Sequence, residues 1–175
     1  NGEPLWSEYR LTEDPKITSQ GYVYFVTRSL RDPRNQTLFG WDGSKVRRLS
    51  DDNGYCRIVS ATDEGVYYIR EQRIGGAALE LLQYLPMNEI REGKMDSGAD
   101  ALTVASDVLG SGADQNGVVY YASVIAGEIR IIRADSNKIL WREPFVPNER
   151  VNILISPNNE AYAQMLRPDG KGVLP

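Results

Sequence analysis

Gly117-Val118-Val119-Tyr120-Tyr121 decides the fold, because the chain repeats it. Gly21-Tyr22-Val23-Tyr24-Phe25 and Gly65-Val66-Tyr67-Tyr68-Ile69 open the same way, a glycine running into β-branched and aromatic residues. Ala161-Tyr162-Ala163-Gln164-Met165 is a degenerate fourth copy, and the steps between copies are 44, 52 and 44 residues. An apolar-x-Ser unit stands before each: Ile17-Thr18-Ser19, Ile58-Val59-Ser60, Val104-Ala105-Ser106 and Leu154-Ile155-Ser156. Self-similarity at such a period marks an array of like supersecondary units.

Turn chemistry divides each unit into short strands. In the first they fall at 16–19, 22–27, 37–41 and 45–49, with Asp42-Gly43 as a hairpin turn. The second has 55–60, 66–70, 79–85 and 89–93; the third has 101–106, 118–123, 128–134 and 138–141. The fourth has 151–156 and 162–166, followed by Pro168-Asp169-Gly170 as a turn. Residues 77–85 are good helix formers, but the repeat register aligns them with 37–41 and 128–134 and makes them a strand. Four strands recurring every 40 to 50 residues, roughly, are the pattern of an all-β propeller, whose blades cover one another's apolar faces.

The blades occupy about 15–50, 55–95, 101–142, and 151–175 joined by 4–12. In that last, composite blade, residues 4–12 form the outermost strand and 171–175 the third. The expectation is a single domain, a ring of four blades whose termini share one blade; the alternative is part of a larger propeller.

Ile155-Ser156-Pro157-Asn158-Asn159-Glu160-Ala161-Tyr162-Ala163 resembles the Ser-Pro-Asp-Gly-x-x-apolar-Ala motif of TolB-like propellers, with Asn-Asn replacing Asp-Gly. Leu38-Phe39-Gly40-Trp41-Asp42-Gly43, then Arg47-Arg48-Leu49-Ser50, is similar to the family's next two strands, and Tyr9-Arg10-Leu11-Thr12 echoes the last segment. The resemblance implies blades, not an activity. Relatives of this kind usually have six or more blades, which favours the larger ring, and work in bacterial envelopes or beside peptidase domains, which favours an extracytoplasmic setting.

Composition narrows the chemistry. Among 175 residues there is no histidine, so His-based triads, His general bases and the commonest zinc ligand are excluded. Cys56 is alone, which excludes an intrachain disulfide and a thiolate metal cage. Twenty Lys and Arg against 24 Asp and Glu give a net charge of −4, against a dedicated nucleic-acid binder. No apolar run is long enough to span a bilayer.

Ser19, Ser60, Ser106 and Ser156 recur in every unit, as turn or strand-end hydrogen-bonding groups do, and no histidine activates them. No carboxylate pair is singled out by spacing, so no catalytic residue is assigned and the chain reads as non-enzymatic. The acidic loops Asp51-Asp52-Asn53-Gly54 and 107–117, with Asp107, Asp114 and Asn116, lack the alternating spacing of a dedicated calcium loop and read as solvated turns. No cofactor and no metal are expected.

Candidate binding residues come from two connections and the tryptophans. Residues 107–116 explain most of the long step as a six-residue insertion and carry Asp107 and Asp114. Residues 28–36 carry Arg28, Arg31 and Arg34, whose guanidinium groups suit carboxylates or phosphates. Trp41 and Trp141, on outer strands of their blades, and Trp6 are candidate partner or sugar contacts. The resulting expectation is a propeller scaffold binding a protein or peptide. Two alternatives stand beside it: the propeller portion of a prolyl-oligopeptidase-like peptidase, and a carbohydrate-binding propeller using Trp41 or Trp141. If the ring is incomplete, another chain is a further candidate partner.

Overall fold

The computed structural model describes residues 9–50, 54–92 and 101–166. The expected roles of Trp6, Asp51, Asp52, Asn53, the 168–170 turn and the 171–175 strand lie outside the described residues. The rest is all-β: four antiparallel sheets and one short helix.

Sheet 1 holds β1 (Tyr9–Leu11), β2 (Lys16–Ile17), β3 (Val23–Ser29), β4 (Gln36–Trp41) and β5 (Val46–Arg48). Sheet 2 runs β6 (Cys56–Thr62), β7 (Gly65–Ile74), β8 (Ala77–Pro86) and β9 (Leu102–Ala105), with helix α1 (Met87–Glu92) between the last two. Sheet 3 is β10 (Val108–Ala113), β11 (Val119–Ile125), β12 (Glu128–Arg133) and β13 (Lys138–Pro144). Sheet 4, within the described residues, is β14 (Arg150–Ile155) paired with β15 (Ala161–Leu166).

The sheets stand face to face in chain order, and the period-2 alternation of each strand divides its side chains between two neighbours. Tyr24, Val26 and Leu38 of sheet 1 meet Ile58, Val66, Tyr68 and Leu85 of sheet 2 in one core. Ile69 and Leu82, on the other side of sheet 2, meet Val108, Val119, Tyr121 and Ile132 of sheet 3. Ala122, Ile129 and Ile131 then meet Val151, Ala163 and Met165 of sheet 4. A strand buried on both sides has no polar face, which is why residues 119–123 are buried without a break. At each joint the first-paired strand of the following sheet, β6, β10 or β14, lies over the preceding sheet.

Four expectations are corrected. Of the expected 4–12 strand, residues 4–8 lie outside the described residues, and 9–12 do not serve sheet 4: β1 pairs with Thr27–Ser29 of β3, and the Thr12 amide donates to the Val26 carbonyl at 3.0 Å. Two-residue β2 covers only Val23 and Tyr24, so the rest of β3's edge offers backbone groups that β1 satisfies. The described part of the expected 89–93 strand, residues 89–92, belongs to helix α1. Met87 and Ile90, three apart, bury one side of α1 over the first joint, while Glu89 in its first turn and Arg91 in its last suit the helix dipole. The outer strand of sheet 2 is instead β9, taken from the segment read as opening the third unit.

The fourth correction concerns 107–116, which is no insertion. β10 lies inside it as the first strand of sheet 3. Its glycines read as loop punctuation, yet they admit a neighbour: a Cβ at Gly110 would overlap the Val151 carbonyl, and one at Gly112 would stand 3.1 Å from the Ile153 carbonyl. The 77–85 segment is a strand, as its register implies, paired with β7 over ten residues.

Candidate functional site

The two ends of the stack differ. One end carries the turns that open each sheet, and three of these share one geometry. Thr18, Asp114 and Ser156 each accept a backbone bond from the residue three later, namely Gly21, Gly117 and Asn159. Those three residues sit at φ 80°, 83° and 62°, the left-handed region that Gly and Asn tolerate. The first residue's side-chain oxygen caps the turn: Thr18 Oγ1 accepts from the Tyr22 amide, Asp114 Oδ1 from Val118, and Ser156 Oγ from Glu160.

Neighbouring turns are laced together. Ser19 Oγ donates to Asp63, which also accepts from the Gln20 amide at 3.0 Å, and these bonds hold the Asp63 carboxyl below its ordinary pKa. Ser60 Oγ donates to the Gly117 carbonyl at 2.9 Å, and the Gln115 amide donates to Asn159 Oδ1 at 3.3 Å. The recurring serines are structural here; Ser106 takes part through its carbonyl, which accepts from Ser123 Oγ.

At the opposite, loop end a groove of about 760 Å³ opens between β8, sheet 3 and sheet 4. Leu79, Leu109, Val124 and Phe145 are among its apolar lining; Glu80, Asp107, Glu149 and Arg150 are its charges. Glu149 is buried, and its Oε2 accepts the Val146 amide at 3.0 Å, so it fixes the connection into sheet 4. Glu80 and Asp107 remain exposed. Desolvation raises the Glu80 carboxyl above its ordinary pKa, Arg57 opposes the shift and Glu71 adds to it.

Three sheets meet at Arg57, whose charge also acts on Glu80. Its Nη2 donates to Ser111 Oγ of β10 at 2.7 Å. Glu13, between β1 and β2, accepts the Ile58 amide at 2.7 Å. Burial raises the Glu13 carboxyl, against the pull of that bond and of Lys16 and Arg57.

The candidate residues are not gathered into one site. Arg28, Arg31 and Arg34 lie at the loop end, where Arg34 forks onto Asp32 through Nε at 3.0 Å and Nη2 at 3.2 Å, and Asp32 and Arg34 line a smaller cleft of about 460 Å³. Asp107 alone reaches the larger groove; Asp114 caps a turn at the far end. Trp41 lies on the third strand of sheet 1, at its turn end, so its placement on an outer strand is corrected. Trp141 is on the outermost strand of sheet 3 and packs into the third core. Among the described residues no group of three or more Cys, Asp or Glu could hold a metal ion. The sequence reading missed Glu80, Arg150, Phe145 and Arg57. The available signal was a lone charge within an apolar run, as in Leu79-Glu80-Leu81 and Cys56-Arg57-Ile58.

No protein-family model matches the chain, and no curated protein does. A solved structure of a luciferin-regenerating enzyme is similar at 16% identity and a TM-score of 0.49, over 96% of this chain. The chain spans 58% of the length of that protein. That neighbour is an enzyme, which corrects the expectation of a non-enzymatic chain; the expectation is dropped, and no activity is carried over in its place. No helix among the described residues is long and apolar enough to cross a membrane.

Proposed function

We propose that the chain is an arc of a β-propeller, with the TolB-like resemblance noted above, and that its loop-end groove binds an extended protein segment carrying a basic residue beside an apolar one. The groove itself carries this reading. Leu79, Leu109, Val124 and Phe145 offer apolar contact, Glu80 and Asp107 offer negative charge at the mouth, and three carboxylates outnumber Arg150. Convergent polar groups on an apolar cleft are the usual form of a recognition site, and opposite charge steers the partner as well as holding it.

The test is selection from a randomised hexapeptide library on immobilised protein. Enrichment of Arg or Lys next to an apolar residue is expected, with loss of that enrichment in the Glu80→Gln/Asp107→Asn variant. Absence of enrichment, or enrichment unchanged in the variant, refutes the reading.

A further inference from the structure

The two end sheets of the stack present unmatched halves of the joint that the chain builds three times internally. At each internal joint a first-paired strand seats on the preceding sheet: β6 on sheet 1, β10 on sheet 2, β14 on sheet 3. Sheet 4 has a further face, opposite Val151, Ala163 and Met165, on which nothing of this kind is seated among the described residues. Leu154 and Tyr162 lie directly opposite each other there, 51% and 46% exposed, with Leu166 also exposed. Sheet 1 has the converse. Leu11 on β1 and Ile17 on β2 point away from the first core, Ile17 70% exposed, and Trp41 is exposed on the same side. Sheets 4 and 1 share no joint comparable to the other three among the described residues.

We propose that a second copy of this chain completes the stack. The β1/β2 strands of one copy seat on sheet 4 of the other, and by two-fold symmetry the reverse joint forms at the same time. This continues the internal packing pattern: sheet 4 receives, β1/β2 insert, and one copy offers both. A head-to-tail contact of this kind closes when the rotation fits, here as a ring of eight sheets from two chains of four. It covers exposed apolar side chains on two sheet faces, Leu154, Tyr162 and Leu166 among Arg150, Asn152 and Gln164 on one and Leu11, Ile17 and Trp41 on the other. The inference rests on the radial arrangement proposed above and is independent of what the groove binds.

Light scattering on the eluting 175-residue chain is expected to give about 39 kDa, twice 19.6 kDa. A monomer, or assemblies that grow without closing, overturns the proposal. Ile17→Lys and Leu154→Glu, at exposed positions, are each expected to abolish the dimer while keeping the wild-type circular dichroism spectrum. Mixing the two variants pairs one unaltered joint with one Lys–Glu joint and is expected to restore the dimer. Failure to recover on mixing means that like surfaces pair, and overturns the head-to-tail arrangement. Peptide selection on the same samples separates the two readings. A monomeric wild type that still selects basic peptides overturns the ring alone; a dimer that selects none overturns the groove alone.

Discussion

The Arg57 guanidinium donates to the Ser111 hydroxyl at 2.7 Å, joining the first-paired strands of sheets 2 and 3 across the middle of the stack. The same cation stands near Glu80 in the groove and near Glu13, which in turn holds the Ile58 amide. One arginine thereby links the first joint, the second joint and the groove residue Glu80 electrostatically.

Ser111→Ala removes the acceptor and leaves a partly buried charge short of one bond. The expected loss is about 1–3 kcal/mol of unfolding free energy, in the range for hydrogen bonds to charged groups. Urea unfolding of Ser111→Ala, Arg57→Met and the double variant measures it. Additive losses mean that the two groups are not coupled.

Gly110→Ala tests the close approach of β10 and β14, since its Cβ would overlap the Val151 carbonyl. Overpacking against backbone is expected to destabilise the chain by about 1–3 kcal/mol or more. Gly112→Ala meets the Ile153 carbonyl at 3.1 Å and is expected to lose less. Equal unfolding midpoints for both variants and wild type contradict the placement of β10 against β14.

Tyr24 is fully buried and Tyr22 nearly so, their rings 4.8 Å apart, and neither hydroxyl has a hydrogen-bond partner among the described residues. Burial and the neighbouring Asp42 push the Tyr22 phenol up to about 12, and burial pushes Tyr24 higher still. A buried polar group left unbonded is unfavourable, so Tyr24→Phe is expected to leave stability unchanged or raise it by about 1 kcal/mol. A fall of the thermal midpoint in Tyr24→Phe shows that its hydroxyl is bonded after all.

The raised Glu80 carboxyl makes stability depend on pH in a definite direction. Folding favours its protonated form, so its contribution is fully present below the ordinary carboxylate pKa and is lost as pH rises through the raised value. Glu80→Gln is therefore expected to unfold at higher temperature than wild type at neutral pH, with the gap closing in acid. Thermal midpoints of both proteins across the acid-to-neutral range provide the check, and a gap that widens in acid reverses the assignment.

Strand content was legible because aromatic and β-branched runs recur at a fixed period. The seams between units were not. Leu102–Ala105 is apolar and β-forming whether it closes sheet 2 or opens sheet 3, and only pairing with Leu82–Tyr84 decides. Gly110 and Gly112 look like a loop in a one-dimensional reading; their meaning depends on Val151 and Ile153, some 40 residues away. The 28–36 arginines drew notice by density, but Arg34 is consumed by Asp32 two positions earlier. The groove was hidden for a related reason: Leu79, Asp107, Val124 and Phe145 come from four separate segments, with no motif to link them.

The order in which the joints are built bears on how the protein emerges from the ribosome. Tyr24 and Val26 are covered by residues of sheet 2 such as Ile58, Val66 and Leu85, so sheet 1 leaves the exit tunnel with its greasy side bare until sheet 2 follows. The same lag recurs at each later joint. Vectorial synthesis thus always trails one uncovered sheet, and a pause or truncation between joints releases a sticky nascent chain where a finished stack would be.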